Sequence, residues 1–333
     1  MPTGTHDDAP GGPDHPGEQA DAAPGAADRA LRADCENCFA LCCVALWLTA
    51  SADFALTKPA GTPCRNLHAD NRCGIHARLR TSGFGGCATY DCFGAGQHVS
   101  QVTFGGRDWR TDPETAAQMF DVFPTVRALN ELRWYLTEAL ALPTSGPVRE
   151  QLRTALARTE QLTESTPAQL QALDVAAHRD DVNALLVRAG DLARAAVRGP
   201  RADHRGADLI GARLAGADLR AASLRGALMI GADLRRADLT GADLTGATLN
   251  GARLGAADLG GSLFLTQAQV DSAQGDAATV LPATLSRPGH WAESAAAAAS
   301  SDGGGGGGRG DGARGARSGR GRSGAAGTPG KRR

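Results

Sequence analysis

The chain has 333 residues, 35 Lys plus Arg against 36 Asp plus Glu, a formal net charge of -1, and 42% hydrophobic but only 4% aromatic residues. That length suits about two domains rather than one uniform core, and the scarcity of aromatics argues against large stacked recognition surfaces. Neutrality hides opposite ends: residues 1–34 carry seven acids and two Arg, whereas 301–333 carry eight bases and two Asp.

Residues 1–30 are too poor in large apolar side chains to offset chain entropy and are expected to form a disordered acidic arm. No apolar signal region is present in them, and the longest apolar run, Phe39 to Leu48, is ten residues, about half of a membrane span. A cytoplasmic protein without membrane contact is expected.

Residues 31–111 hold all eight cysteines, spaced Cys35-x2-Cys38-x3-Cys42-Cys43, then Cys64, Cys73 and Cys87-x4-Cys92. Short-spaced pairs joined by longer loops suit a thiolate metal site, because close ligands come from one turn and distant ones close the polyhedron. All eight are candidate metal ligands, with His68 and His76 as alternates and Arg65, Arg78 and Arg80 available beside thiolate charge. Structural disulfides and plain buried thiols remain open, the latter especially for Cys42 and Cys43 in their apolar run. Structural zinc fits four thiolates and iron or iron–sulfur fits the same set in a dry pocket; spacing does not choose. The motifs Pro63-Cys64-Arg65-Asn66-Leu67, Cys73-Gly74-Ile75-His76-Ala77-Arg78 and Cys87-Ala88-Thr89-Tyr90-Asp91-Cys92 complete a pattern that resembles the bacterial CxxCxxCC family of zinc- or iron-chelating proteins. Phe39-Ala40-Leu41 gives three residues where that family has two.

Residues 112–199 read as three or four antiparallel helices. Asp112 before Pro113 is an N-cap signal, and Val126, Leu129, Leu132, Leu136 and Leu140 share one face, with a break expected near Phe123-Pro124. A second helix follows Pro147 with Val148, Leu152, Ala155 and Leu162 as its stripe. Thr166 and Gln169 form a capping box for a third run that buries Val182, Leu185, Leu186, Ala189 and Leu192.

Over 200–265 the period becomes five. Ala stands at every fifth position from 202 to 257, twelve times, with Leu two residues later ten times, His204 and Met229 being the departures, and Asp between them seven times. Neither 3.6 nor 2.0 divides that period, so the segment is a solenoid. The string resembles the pentapeptide-repeat family, which implies a right-handed quadrilateral β-helix of about three coils. The fold class expected is therefore α+β in several parts: a Cys-rich module, a short helical bundle, the β-helix and disordered tails. Residues 266–291 are read as a C-terminal cap, in which Thr266 and Gln269 open a short helix that Gly275 stops and Phe264, Val270 and Trp291 cover the end. The helix ending near Arg198 is expected to cover the other end. Residues 292–333 are a Gly/Arg-rich tail, expected to be disordered and to hold nucleic-acid phosphates weakly at most.

Neither Lys58 nor Lys331 stands in a phosphate loop, Gly94-Ala95-Gly96 lacks a third Gly and reads as a turn, and no acid in the helical segment has a His three residues on. The reading leans away from an enzyme. The resemblance also implies DNA imitation against type II topoisomerases, which needs a strongly negative rod. Seven Asp against eight Arg over 201–261 argue against it. The preferred expectation is a non-enzymatic scaffold binding an unknown protein partner through outward residues such as Arg213, Arg220, Arg235, Arg236, Thr240 and Thr245. A thiol-based or iron–sulfur redox protein is the alternative.

Overall fold

The computed structural model describes residues 30–292, so the acidic arm and the Gly/Arg-rich tail lie outside the described residues, Ala30 and Ala292 apart. No helix among those residues is long and apolar enough to cross a membrane.

Four helices form the middle: α1 Pro113–Ala141, α2 Arg149–Thr163, α3 Pro167–Ala172 and α4 Val175–Ala196. Asp112 caps α1 through Oδ1, which accepts from the Glu114 N–H at 3.0 Å, and Pro113 occupies the first turn, where no intrahelical N–H partner is lost. The capping box of Thr166 and Gln169 opens α3, and a further cap at Asp174, accepting from the Ala177 N–H at 3.0 Å, divides the third run into α3 and α4. The break expected at Phe123-Pro124 does not occur: α1 runs 29 residues straight through Pro124. An interior proline costs about 3 kcal/mol. Here Met119, Val122, Phe123 and Val126, all fully buried, surround the site, and their burial outweighs the missing hydrogen bond.

The repeat corrects the expected fold class. Among the described residues no β-strand or sheet is present, and the regular elements are helical, so neither an α+β class nor a β-helix describes them. Residues 203–263 instead form stacked turns, linked by isolated single-residue parallel bridges twenty residues apart, such as Asp203↔Ser223, Asp208↔Leu228 and Asp243↔Leu263. A pentad leaves one residue in bridging geometry before the next turn takes over, too few for a ladder. Ala and Leu point inward, and from Ala222 to Leu259 they are buried almost without exception. Each of the seven Asp accepts, through its side chain, the N–H two residues on, from Arg205 on Asp203 at 3.1 Å to Gly260 on Asp258 at 2.9 Å. The Asp column is thus a column of Asx turns, which holds each corner in place.

The two ends differ from expectation in part. The capping box of Thr166 recurs at Thr266, opening α5 (Gln267–Ser272), and Val270 and Trp291 close the C-terminal end, with the Trp291 indole N–H donating to the Ala273 carbonyl at 2.9 Å. Gly275 does not stop the helix, which ends before it; a Cβ there would lie 2.5 Å from the Trp291 ring, so the glycine makes room for the indole. Phe264, expected at that end, turns outward into the helical core, its ring centroid 6.1 Å from that of Tyr135. The helix expected over the N-terminal end runs along the flank instead. Gly190 of α4 faces Asp243, and the Arg194 Nε donates to the Ala221 carbonyl at 2.9 Å. Ala202, Leu209, Leu214 and Ala217 of the first coil are left only partly buried.

Candidate functional site

The cysteines are placed by short turns held from several directions. Cys35 begins a turn capped by Asp34, whose Oδ1 accepts from the Glu36 and Asn37 N–H groups at 3.2 and 3.3 Å. Cys42 and Cys43 sit on the turn Leu41–Val44, anchored by the fully buried Leu41 and Val44. The Cys64 N–H donates to the Cys43 carbonyl at 3.0 Å, and Cys73 is fixed by an antiparallel bridge to Leu67. Gly96 brings the backbone against two sulfurs: a Cβ there would lie 2.6 Å from Cys38 Sγ and 4.0 Å from Cys92 Sγ.

Lys58 ties these loops together. It is 4% exposed, and its ammonium donates to the carbonyls of Val44 at 2.9 Å, Pro59 at 3.0 Å and Thr62 at 2.8 Å, which uses all three of its donors. Sequence reasoning noted Lys58 only as lacking a phosphate loop. The available signal was its isolation, one of two lysines beside 33 arginines.

All eight cysteines line one cavity of about 400 Å³, together with His76, Tyr90 and apolar side chains that include Leu46, Leu48, Phe54 and Phe84. All eight thiols are free. Among the described residues no group of three or more His, Cys, Asp or Glu side chains is arranged to hold a metal ion, so the sulfurs surround a space rather than converge on a point. Burial pushes the thiols of Cys38 and Cys87 up to about 11 and also raises those of Cys35, Cys73 and Cys92. The hydrogen bond between Cys42 and Cys43 raises the first and lowers the second, and the Lys58 ammonium adds to the lowering. The Tyr90 hydroxyl is buried and has no hydrogen-bond partner among the described residues, and burial holds its acidity well below that of a free phenol. The alternates separate: His76 lines the cavity, while His68 packs on Gly74, where a Cβ would meet its ring at 2.4 Å. Arg80 donates to the Asp271 carbonyl, and neither it nor Arg65 or Arg78 lines the cavity.

The pentapeptide-repeats family matches in eight copies over residues 202–246 and 227–264. A Bacillus subtilis (strain 168) relative bearing the name uncharacterized protein YybG is 58% identical over 264 residues, 78% of this chain and 95% of the relative. The chain belongs to the pentapeptide-repeat family. The family match lies on the repeat, and the likeness of the cysteine segment to metal chelators rests on its own motifs.

The charges of this pentapeptide repeat are largely turned on one another. Arg220 pairs with Asp218 at 2.7 Å and Arg235 with Asp233 at 2.6 Å. Arg225 reaches the buried Asp243 at 3.1 Å and Thr245 Oγ1 at 2.8 Å. Thr245, expected to face outward, is 9% exposed on the flank that the helices cover. Arg213 and Arg236 remain exposed, and Arg220, Arg235 and Thr240 are half-buried.

Proposed function

We propose that the protein is a pentapeptide-repeat scaffold whose thiol cavity holds a polynuclear thiolate centre, of iron and sulfide in preference to zinc. The observation that carries this reading is the convergence of all eight cysteines on one cavity. A single tetrahedral zinc takes four thiolates, whereas eight cysteines line this cavity. That number of thiols suits several bridged ions, and the apolar lining suits iron–sulfur. Such a group supplies one-electron transfer when bound. Cys38 and Cys92 beside Gly96, Cys42 and Cys43 on their turn, and Cys35, Cys64, Cys73 and Cys87 of the same lining are the residues to hold it, with Lys58 as a buried counter-charge.

The exposed faces of the repeat, with Arg213 and Arg236, supply the surface for a protein partner, and no catalytic role is assigned to them. The test is iron, zinc and acid-labile sulfide per chain, with the visible spectrum, on full-length protein purified without oxygen. Several irons with matching sulfide are expected, and Cys38→Ser and Cys92→Ser should each lower that content. A colourless protein with one zinc, or variants with unchanged metal content, would overturn the reading.

A further inference from the structure

The N-terminal end of the stacked coils stays open among the described residues, apart from one corner where the Arg201 N–H donates to the Arg220 carbonyl at 3.4 Å. Val270 and Trp291 close the far end. In the first coil, by contrast, Leu209, Leu214, Ala202, Ala207, Ala212 and Ala217 are all half-buried, whereas the alanines and leucines at the same positions of the second coil are buried. A solenoid needs both ends covered, because a bare terminal coil leaves an apolar face and an unpaired backbone edge in water.

That edge is made of donors and acceptors together. In the second coil the bridging residue turns both its backbone groups toward the coil above: the Ser223 N–H donates to the Ala202 carbonyl at 2.9 Å, and the Ser223 carbonyl accepts from the His204 N–H at 2.8 Å. The same positions of the first coil are Asp203, Asp208, Arg213 and Asp218, one on each side of the square, and neither the N–H nor the carbonyl of any of them has a backbone partner among the described residues. The charges of the rim follow the same pattern. Asp203, Arg205, Asp208 and Arg213 are exposed and none of them forms an ion pair among the described residues, whereas Arg220 is already closed on Asp218 at 2.7 Å and Arg235 on Asp233 at 2.6 Å. Two acids and two bases stand unpaired together, so the rim is complementary to itself and gains nothing from a partner of one charge sign.

We infer that the open coil is the interface for a second copy of this chain, stacked head to head on the same coil through Leu209 and Leu214, the free backbone groups of Asp203, Asp208, Arg213 and Asp218, and the unpaired charges of the rim. A two-fold axis at right angles to the coil axis lays the four sides of one end antiparallel on those of the other. A residue with both N–H and C=O facing outward then meets one of the same kind and forms the two-bond pair of an antiparallel ladder. Three of the four such residues are Asp, and Arg213 supplies the opposite charge in each copy. A single coil is a small contact, so the association is weak and reversible. The interface is independent of the thiol cavity and of any metal in it.

Sedimentation velocity of full-length protein from about 1 to 200 µM reads the association directly. A reversible dimer with a Kd of about 10–100 µM is expected. Arg213→Asp makes all four facing positions acidic and should weaken the dimer by at least about tenfold. Asp is the commonest residue at that place in the repeat, so the coil keeps its fold, which an unchanged melting temperature of the dilute protein checks. Leu214→Lys, which sets an ammonium in the apolar end, should leave only monomer, and Arg213→Asp alone decides the matter if Leu214→Lys disturbs the first coil. Monomer up to about 200 µM, or a dimer of unchanged Kd in Arg213→Asp, would overturn the inference.

Discussion

At the fifth position of every pentad from Gly206 to Ala256 the backbone enters the left-handed region, and glycine is the residue that adopts it freely. Gly231 has φ 65 with no atom within 4 Å of a would-be Cβ, so that corner requires glycine for its backbone alone. Arg236 holds the equivalent corner of the next pentad at φ 59, exposed to solvent, and bears the cost of a Cβ in that conformation. Two opposite outcomes are expected in denaturant unfolding. Gly231→Ala should lower stability by about 1 kcal/mol, and Arg236→Gly should raise it by roughly 0.5–1 kcal/mol, the relief of strain exceeding the added chain entropy. A loss of stability in Arg236→Gly would mean that its side chain does more on the surface than hold a corner. This column is visible in the sequence itself, where Gly often precedes the next Ala of the repeat. The role of Asp as an Asx acceptor is not, because composition shows that Asp recurs and only hydrogen bonds show what it accepts.

Asp218 and Asp233 give the repeat a pH signature at the level of the element. The side-chain bonds from Arg220 and Arg235, first among the causes, hold these carboxyls down at about 2 against an ordinary 3.8. A carboxylate more acidic in the folded chain than in the unfolded one stabilises the fold above the unfolded value, and that contribution fades as pH falls through the folded value. The melting temperature should therefore be flat from about pH 7 to 5 and fall between about pH 4 and 2, with a shallower fall in Arg220→Gln and Arg235→Gln. Asp218 is exposed and Asp233 partly so, so the effect is screened, and about 1 M salt should flatten the profile further. The periodicity marks the buried Ala and Leu of most coils, since they recur at fixed corners. It misjudged the backbone type, because a pentad allows one bridging residue per side. It also misjudged Thr245, since nothing within the repeat marks which flank the helices cover.

Across the molecule three buried clusters share two joints. Helix α1 serves the first, giving Met119 to Leu129 to the core under the cysteine segment and Leu132 to Ala139 to the core with α2 and α4. Leu263 and Phe264 serve the second, leaving the stacked coils to enter that helical core. The sequence marks the place, since the pentad phase slips at Ser262-Leu263-Phe264, but a slip carries no information about the partner, and Phe264 reads equally well as an end cover. Phe264 is 2% exposed against Tyr135, and the buried Arg225–Asp243 pair lies on the same helix-covered flank. Removing the ring should cost about 3–5 kcal/mol, nearly all of it at the joint, because the coil's own Ala and Leu core is untouched. Calorimetry of the full chain should then change from one transition to two, the coil with its Trp291 cover melting apart from the helices. Phe264→Leu should keep the single transition at a lower temperature, since it preserves part of the contact. A single transition in Phe264→Ala at an unchanged temperature would place the coupling elsewhere, in Arg194 and the backbone of Ala221, and would make Phe264 a packing residue of the helices alone.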